Sequence, residues 1–272
     1  MSLRFTPTAS CVLRVSGEDA KAYLQGQCTA DLRQGSSHHA LWLNRKGRVL
    51  AYTLILPQAD NTWLLVGPGV SAEELEKIVA ANLIADDVTV VNESSHWQTG
   101  VLWGEGVAVT GAWISIPTAA YGVKAWNVLA PAGAVMGWQL AAATELDAVR
   151  VVQGVPSVPT DCGPNEFPQE CGLDSWVSYT KGCYLGQEVM ARIQSMGALR
   201  RVLRSVESVS SNLSSGLELR SADGAKVLGT IKSAAGRVGL ALVSIDLAEG
   251  ATLSSAVGEV RLGKLAQLGP SI

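Results

Sequence analysis

Between Ala40 and Val91 the apolar residues arrive in short runs, ALWLN, RVLAYTLIL and TWLLVG, followed by a helical pattern and then DVTVVN. Runs rich in Val, Ile, Leu and aromatic residues, bounded by polar turns, read as strands. Ser71 with Glu74 three residues on forms a capping-box signal, and Leu75, Ile78, Val79 and Leu83 recur at the spacing of one buried helical face. This α+β order is the one that most often builds a ferredoxin-like sandwich, with helices on one face of the sheet. Upstream, Ser16 and Asp19 are expected to cap a short helix over Ala20 to Gln25, stopped by Gly26. Trp97 to Ile116 reads as two or three further strands separated by Gly104, Gly106 and Gly111.

The segment WQLAAATELDAVRVVQG is expected to be helical as far as Gln153, with Gly154 and Pro156 ending it. A long Pro- and Gly-bearing loop, VPSVPTDCGPNEFPQECGLD, follows and runs into SYTKGCYLGQEVMARIQ. Loops of that length in a compact domain are commonly functional. Past Gly197, short Val-, Leu- and Ser-rich segments alternate with turn pairs at Ser215-Gly216, Asp223-Gly224 and Glu249-Gly250, which predicts a small all-β barrel or sandwich to the C-terminus.

The composition narrows the function. With 272 residues, 47% of them apolar and 17% charged, the chain can bury a substantial core. Twenty-one basic residues against 24 acidic ones give a net charge of −3, so direct nucleic-acid binding is not expected. The stretch from Val128 to Ala143 is broken by Pro131, Gly133, Gly137 and Gln139, and no membrane span is predicted. The five cysteines and an N-terminus without an export-type apolar stretch point to the reducing cytoplasm.

Chemistry concentrates in KGCYLGQE, Lys181 to Glu188. If a helix opens near Gly186, Cys183 lies at or just before its N-terminus, where the dipole and the Lys181 ammonium would favour a thiolate. The alternative is that Cys183 is a small buried hydrophobe, the usual state of a lone cysteine. Cys162, Cys171 and Cys183 are spaced unlike zinc or cluster ligands, and no metal site is expected. His38 and His39 are expected in an exposed loop. Trp42, Trp63, Trp103, Trp113 and Trp126 fall in strand-like segments and are expected in the core. Arg200, Arg201 and Arg204 read as a solvated strand edge or an anion site.

On KGCYLGQE the chain resembles the YgfZ-type folate-binding proteins, of the glycine cleavage T protein (aminomethyltransferase) superfamily. VSGEDAKAYLQGQCTADL, NRKGRVLAYTLIL, RVVQGVPSVP and NEFPQECGLDSWVSYT extend the likeness upstream, and MGALRRVLRSV with the following strands extends it downstream. The resemblance implies an α+β three-part ring with a ferredoxin-like middle portion and a C-terminal antiparallel β-barrel. It divides the chain into a discontinuous signature domain (1–39 and 135–199), a ferredoxin-like domain (40–134) and a barrel (200–272). It also implies a tetrahydrofolate-binding accessory factor for iron–sulfur cluster assembly or repair, whose partners are iron–sulfur client or carrier proteins. Cys183 would be its functional thiol, with Lys181 beside it. Arg150, Lys181, Tyr184, Gln187 and Glu188 would line the folate site, although Glu188 is equally suited to a salt bridge along its own helix. Trp126 and Trp138 are candidates for stacking on the pterin.

The aminomethyltransferases carry a pair of aspartates where this chain has Ala51 and Tyr52. Loss of those carboxylates removes an acid/base group and argues against glycine cleavage. The segment from Ala119 to Val128 also lacks the carboxylate expected to grip the pterin ring. A folate-dependent aminomethyl or methyl transferase remains an alternative, as does a non-catalytic scaffold docking a cluster carrier or a tRNA-modification enzyme.

Overall fold

A computed structural model describes residues 3–33, 37–105, 113–134, 137–197 and 199–268. Gly106, Gly111 and the expected boundary at position 135 lie outside them. The first sheet comprises β2 (Ser10–Ser16), β3 (His38–Leu43), β4 (Val49–Pro57), β5 (Trp63–Pro68) and β6 (Thr89–Asn92), in the order β3-β4-β5-β2-β6 with every neighbour antiparallel. Helices α1 (Ala20–Gln27) and α2 (Ala72–Ala80) lie between β2 and β3 and between β5 and β6 in the chain. Without the edge strand β3, this is the ferredoxin-like arrangement.

Alternation sorts the two faces of this sheet. Leu13, Val15, Ile55 and Leu65 pack with Leu24 of α1 and Leu75 and Val79 of α2. Val12, Leu54, Leu64 and Val66 point the other way, onto Ile116 and Leu129 of a second sheet. The caps explain why the helices start where they do. Ser71 Oγ accepts from the Glu74 amide at 3.2 Å, as its spacing predicts. In α1, by contrast, Asp19 rather than Ser16 is the N-cap and no side chain caps the helix.

The second sheet joins β1 (Arg4–Pro7), β7 (Trp97–Trp103), β8 (Ile114–Pro117), β9 (Ala125–Pro131) and β10 (Gln139–Leu140) in the order β10-β1-β7-β9-β8. Leu146 of α3 (Ala143–Val152) packs onto its Val101 and Trp103. Strand pairing therefore crosses the boundary expected at 39/40: β2 is the first strand of the ferredoxin-like unit, and β1 pairs with β7, which carries β9 and then β8 beyond it. The third unit is a closed antiparallel barrel, β11 (Arg201–Ser208), β12 (Glu218–Arg220), β13 (Val227–Ala235), β14 (Val238–Ser244), β15 (Thr252–Ser255) and β16 (Gly258–Leu265), in the order β11-β14-β13-β12-β15-β16. Between α3 and the barrel runs the long loop, then α4 (Gln187–Met196).

Candidate functional site

The three units meet around a cavity of about 910 Å³. The ferredoxin-like unit contributes Asp31, His38 and His39, the second sheet Pro117, the loop Gln169, Asp174 and Trp176, and the barrel Leu203 and Leu265. A smaller and more apolar chamber of about 440 Å³ is lined by Tyr52, Tyr121, Leu146, Asp147, Arg150, Val158 and, again, Trp176. Trp176 thus borders both chambers.

Trp176 rests on a pair of rings. His39 Nδ1 lies 2.6 Å from the Tyr52 hydroxyl, and the two rings are within 13° of parallel. The indole stacks on both, with centroids 5.3 Å from His39 and 4.5 Å from Tyr52, tilted by 5° and 17°. Burial pulls the His39 pKa down to about 4, against a backbone hydrogen bond to Pro117 that works the other way. At neutral pH the imidazole is neutral, with Nδ1 sharing a hydrogen bond with the Tyr52 hydroxyl. Burial raises the Tyr52 phenol. His38 and His39 therefore open strand β3 at the cavity wall rather than occupying an exposed loop.

Several buried polar atoms of chamber-lining residues have no hydrogen-bond partner among the described residues: Arg150 Nη2, Gln169 Oε1 and His38 Nε2. Buried polar atoms are ordinarily satisfied, so these three mark the polar groups that the packing beside the chambers leaves unpaired.

Arg150, 2% exposed, is the sequence-expected residue that lines a chamber. Its remaining nitrogens are engaged structurally. Nε donates to Asp147 at 2.6 Å, and Nη1 to Asp161 at 2.5 Å and to the Val155 carbonyl at 3.1 Å. Lys181 is also buried, and its ammonium donates to the carbonyls of Cys28 and Ala30 at 2.7 and 2.5 Å. Burial lowers its pKa, partly offset by Cys28 and Asp31. It ties the signature to the loop after α1, at the rim where Ala30 and Asp31 line the larger chamber. Tyr184 lies beneath it, with the ammonium 5.1 Å from the ring centroid and the hydroxyl buried without a partner among the described residues.

Cys183 is exposed, unlike Cys11, Cys28, Cys162 and Cys171, which are buried. Neither feature expected to favour its thiolate is placed for that role. Helix α4 opens at Gln187 with Gly186 as its N-cap, beyond Cys183, and the Lys181 ammonium is held by the two carbonyls. Exposure, not a helix terminus, is what distinguishes this thiol. Gln187 is the first residue of α4, and Glu188, 86% exposed, pairs with Arg192 one turn on at 2.9 Å. That is the helix salt bridge, and neither residue lines either chamber. Gly186 has φ of 85°, and a Cβ there would sit 2.9 Å from the Asn44 carbonyl. The signature turn therefore packs against the NRKG turn. Trp126 and Trp138 line neither chamber.

Sequence reasoning missed Trp176, His39 and the buried carboxylates of the long loop. Asp161 accepts from Arg150 and from Ser233 of β13, the latter at 2.7 Å. Glu166 reaches Lys232 of β13 at 3.3 Å. Glu170 accepts from Arg48 at 3.2 Å and from Arg201 of β11 at 3.3 Å. Arg201 is therefore a strut between loop and barrel rather than an open anion site. Replacing Glu170 with glutamine keeps the shape but leaves two arginines without their carboxylate, and is expected to cost about 1–3 kcal/mol in urea unfolding.

In overall fold the chain is similar to the crystal structure of the glycine cleavage system aminomethyltransferase T from Bartonella henselae, with a TM-score of 0.82 over 98% of this chain and 88% of that one, at 14% identity. The molecule is an aminomethyltransferase-like α+β protein, three units around a cavity with an antiparallel barrel at its C-terminal end. Residues 189–266 match the family model described as the CAF17 C-terminal beta-barrel domain. The chain is 30% identical to the human mitochondrial iron-sulfur cluster assembly factor IBA57, over 85% of this chain and 74% of that protein. It is 27% identical to the tRNA-modifying protein YgfZ of Edwardsiella ictaluri, over 82% and 77%. This chain belongs to the YgfZ/IBA57 family.

Proposed function

We propose that the protein binds a reduced folate, tetrahydrofolate or a close relative, in the two chambers and serves iron–sulfur cluster assembly or repair through the Cys183 thiol. The observation that carries the folate reading is the pair of chambers at the meeting point of three units, bordered by a flat aromatic stack. The cluster role is supported by the human relative, whose name is that of an assembly factor, and by a single exposed thiol beside a fold-locking lysine. A sulfur so presented can meet iron or sulfur carried by a partner protein. Five unpaired cysteines suit a reducing compartment, and the cytoplasm is the natural one.

The transferase alternative is weakened at β4. Tyr52, at the aspartate position, has its hydroxyl engaged by His39, and a phenol with a raised pKa is no carboxylate substitute.

Tetrahydrofolate at a hundredfold excess over its Kd is expected to stabilise the native state by about 2.7 kcal/mol, read as a rise in melting temperature. No rise at millimolar ligand would refute the folate reading and favour a ligand-free scaffold. Cys183→Ala is expected to keep the shift while abolishing rescue of iron–sulfur enzyme activity in cells lacking the native factor. Full rescue by that variant would remove the thiol from the function. Arg150→Ala is a poor probe of the same site, because it orphans the buried Asp161 whether or not folate binds.

A further inference from the structure

We infer that Trp176 is the platform on which the flat ring of the ligand stacks, and that it selects for a fused heteroaromatic ring. The inference rests on the folate reading and says how that ligand is held. One face of the indole is occupied by the nearly parallel His39 and Tyr52 rings, 5.3 and 4.5 Å away. The indole nevertheless borders both the larger and the smaller chamber. An aromatic face backed by two hydrogen-bonded rings cannot readily tilt, and a rigid face of this kind favours an offset-stacked planar ligand over a flexible chain.

Arg150 Nη2 and Gln169 Oε1 have no partner among the described residues but are themselves buried, so the flat ring and not a polar contact carries the inference.

Binding is measured by calorimetry for tetrahydrofolate and for tail-less tetrahydropterin, with the native chain, Trp176→Ala and Trp176→Phe. The expected result is a loss of tenfold or more for both ligands in Trp176→Ala, with Trp176→Phe within about threefold of native and the ligand-free melting temperatures of native and Trp176→Phe alike. Quenching of indole fluorescence by tetrahydropterin is expected to fall in Trp176→Phe, which keeps the readout available if the alanine variant does not fold. Native binding that Trp176→Ala leaves within threefold, or quenching unchanged in Trp176→Phe, overturns the platform while the folate reading stands. Binding of neither ligand by the native chain refutes the folate reading and the platform with it.

Discussion

Asp161→Ala is expected to destabilise the fold by about 3–5 kcal/mol, the effect of removing one partner from a buried ion pair. Asp161 is fully buried, and its carboxylate binds Arg150, the Ser157 amide and the Ser233 hydroxyl at once. Burial lifts its pKa against the pull of Arg150 and these hydrogen bonds, so the site holds the charge only because all three partners converge. Removing the carboxylate leaves Arg150 with Asp147, whose side chain is 52% exposed, and leaves the Ser233 hydroxyl unpaired inside the structure. The midpoint in urea reports the loss. The double variant Arg150→Met with Asp161→Val should recover more than half of it, because two apolar residues of fitting size need no charge compensation. A midpoint for Asp161→Ala within 1 kcal/mol of native would show that the clamp is dispensable.

The clamp explains what the sequence did and did not disclose. The long loop was legible as unusual, and its function was sought in the signature segment it runs into. Its structural content lies in Asp161, Glu166 and Glu170, which reach residues 232 and 233 of β13 and residue 201 of β11. Such pairings across the chain leave no local period. The α2 cap, strands β4 and β5 and the barrel turns were legible because helix capping, apolar runs and turn glycines act within a few residues. Strand β2 was not, although its burial is nearly continuous, since its partners β5 and β6 follow it by some fifty and seventy-five residues. Missing it displaced the ferredoxin-like unit along the chain without changing its kind. At the site, Lys181 reads in KGCYLGQE as a charge beside Cys183, and only the fold shows it bonded to residues 28 and 30. Trp176 looked like any loop tryptophan until His39 and Tyr52 were brought beneath it.

The same stack makes stability depend on pH with a definite sign. Unfolded, His39 takes up a proton near its ordinary value of 6.5, while burial in the folded chain holds it near 4. Between those values the unfolded state binds more protons, so stability rises with pH across the window. The contribution is fully present above pH 6.5 and is lost as pH falls through the window to 4, by on the order of 3 kcal/mol. The groups facing the ring are the Tyr52 hydroxyl, the Trp176 face, the Pro117 carbonyl and neighbouring His38, whose own pKa burial also lowers and which therefore adds a slope of the same sign. Carboxylates titrate in the lower part of the window, so the test is a difference: urea midpoints of the native chain and His39→Gln between pH 7 and 4.5. The glutamine variant should begin less stable, having lost the flat partner of Tyr52, and should lose markedly less on acidification. Parallel curves would mean that His39 is charged as readily in the fold as out of it. A protonated His39 donates from Nδ1 to the Tyr52 oxygen, so that contact survives with its direction reversed, and the cost of acidification is the burial of the charge rather than the loss of the bond.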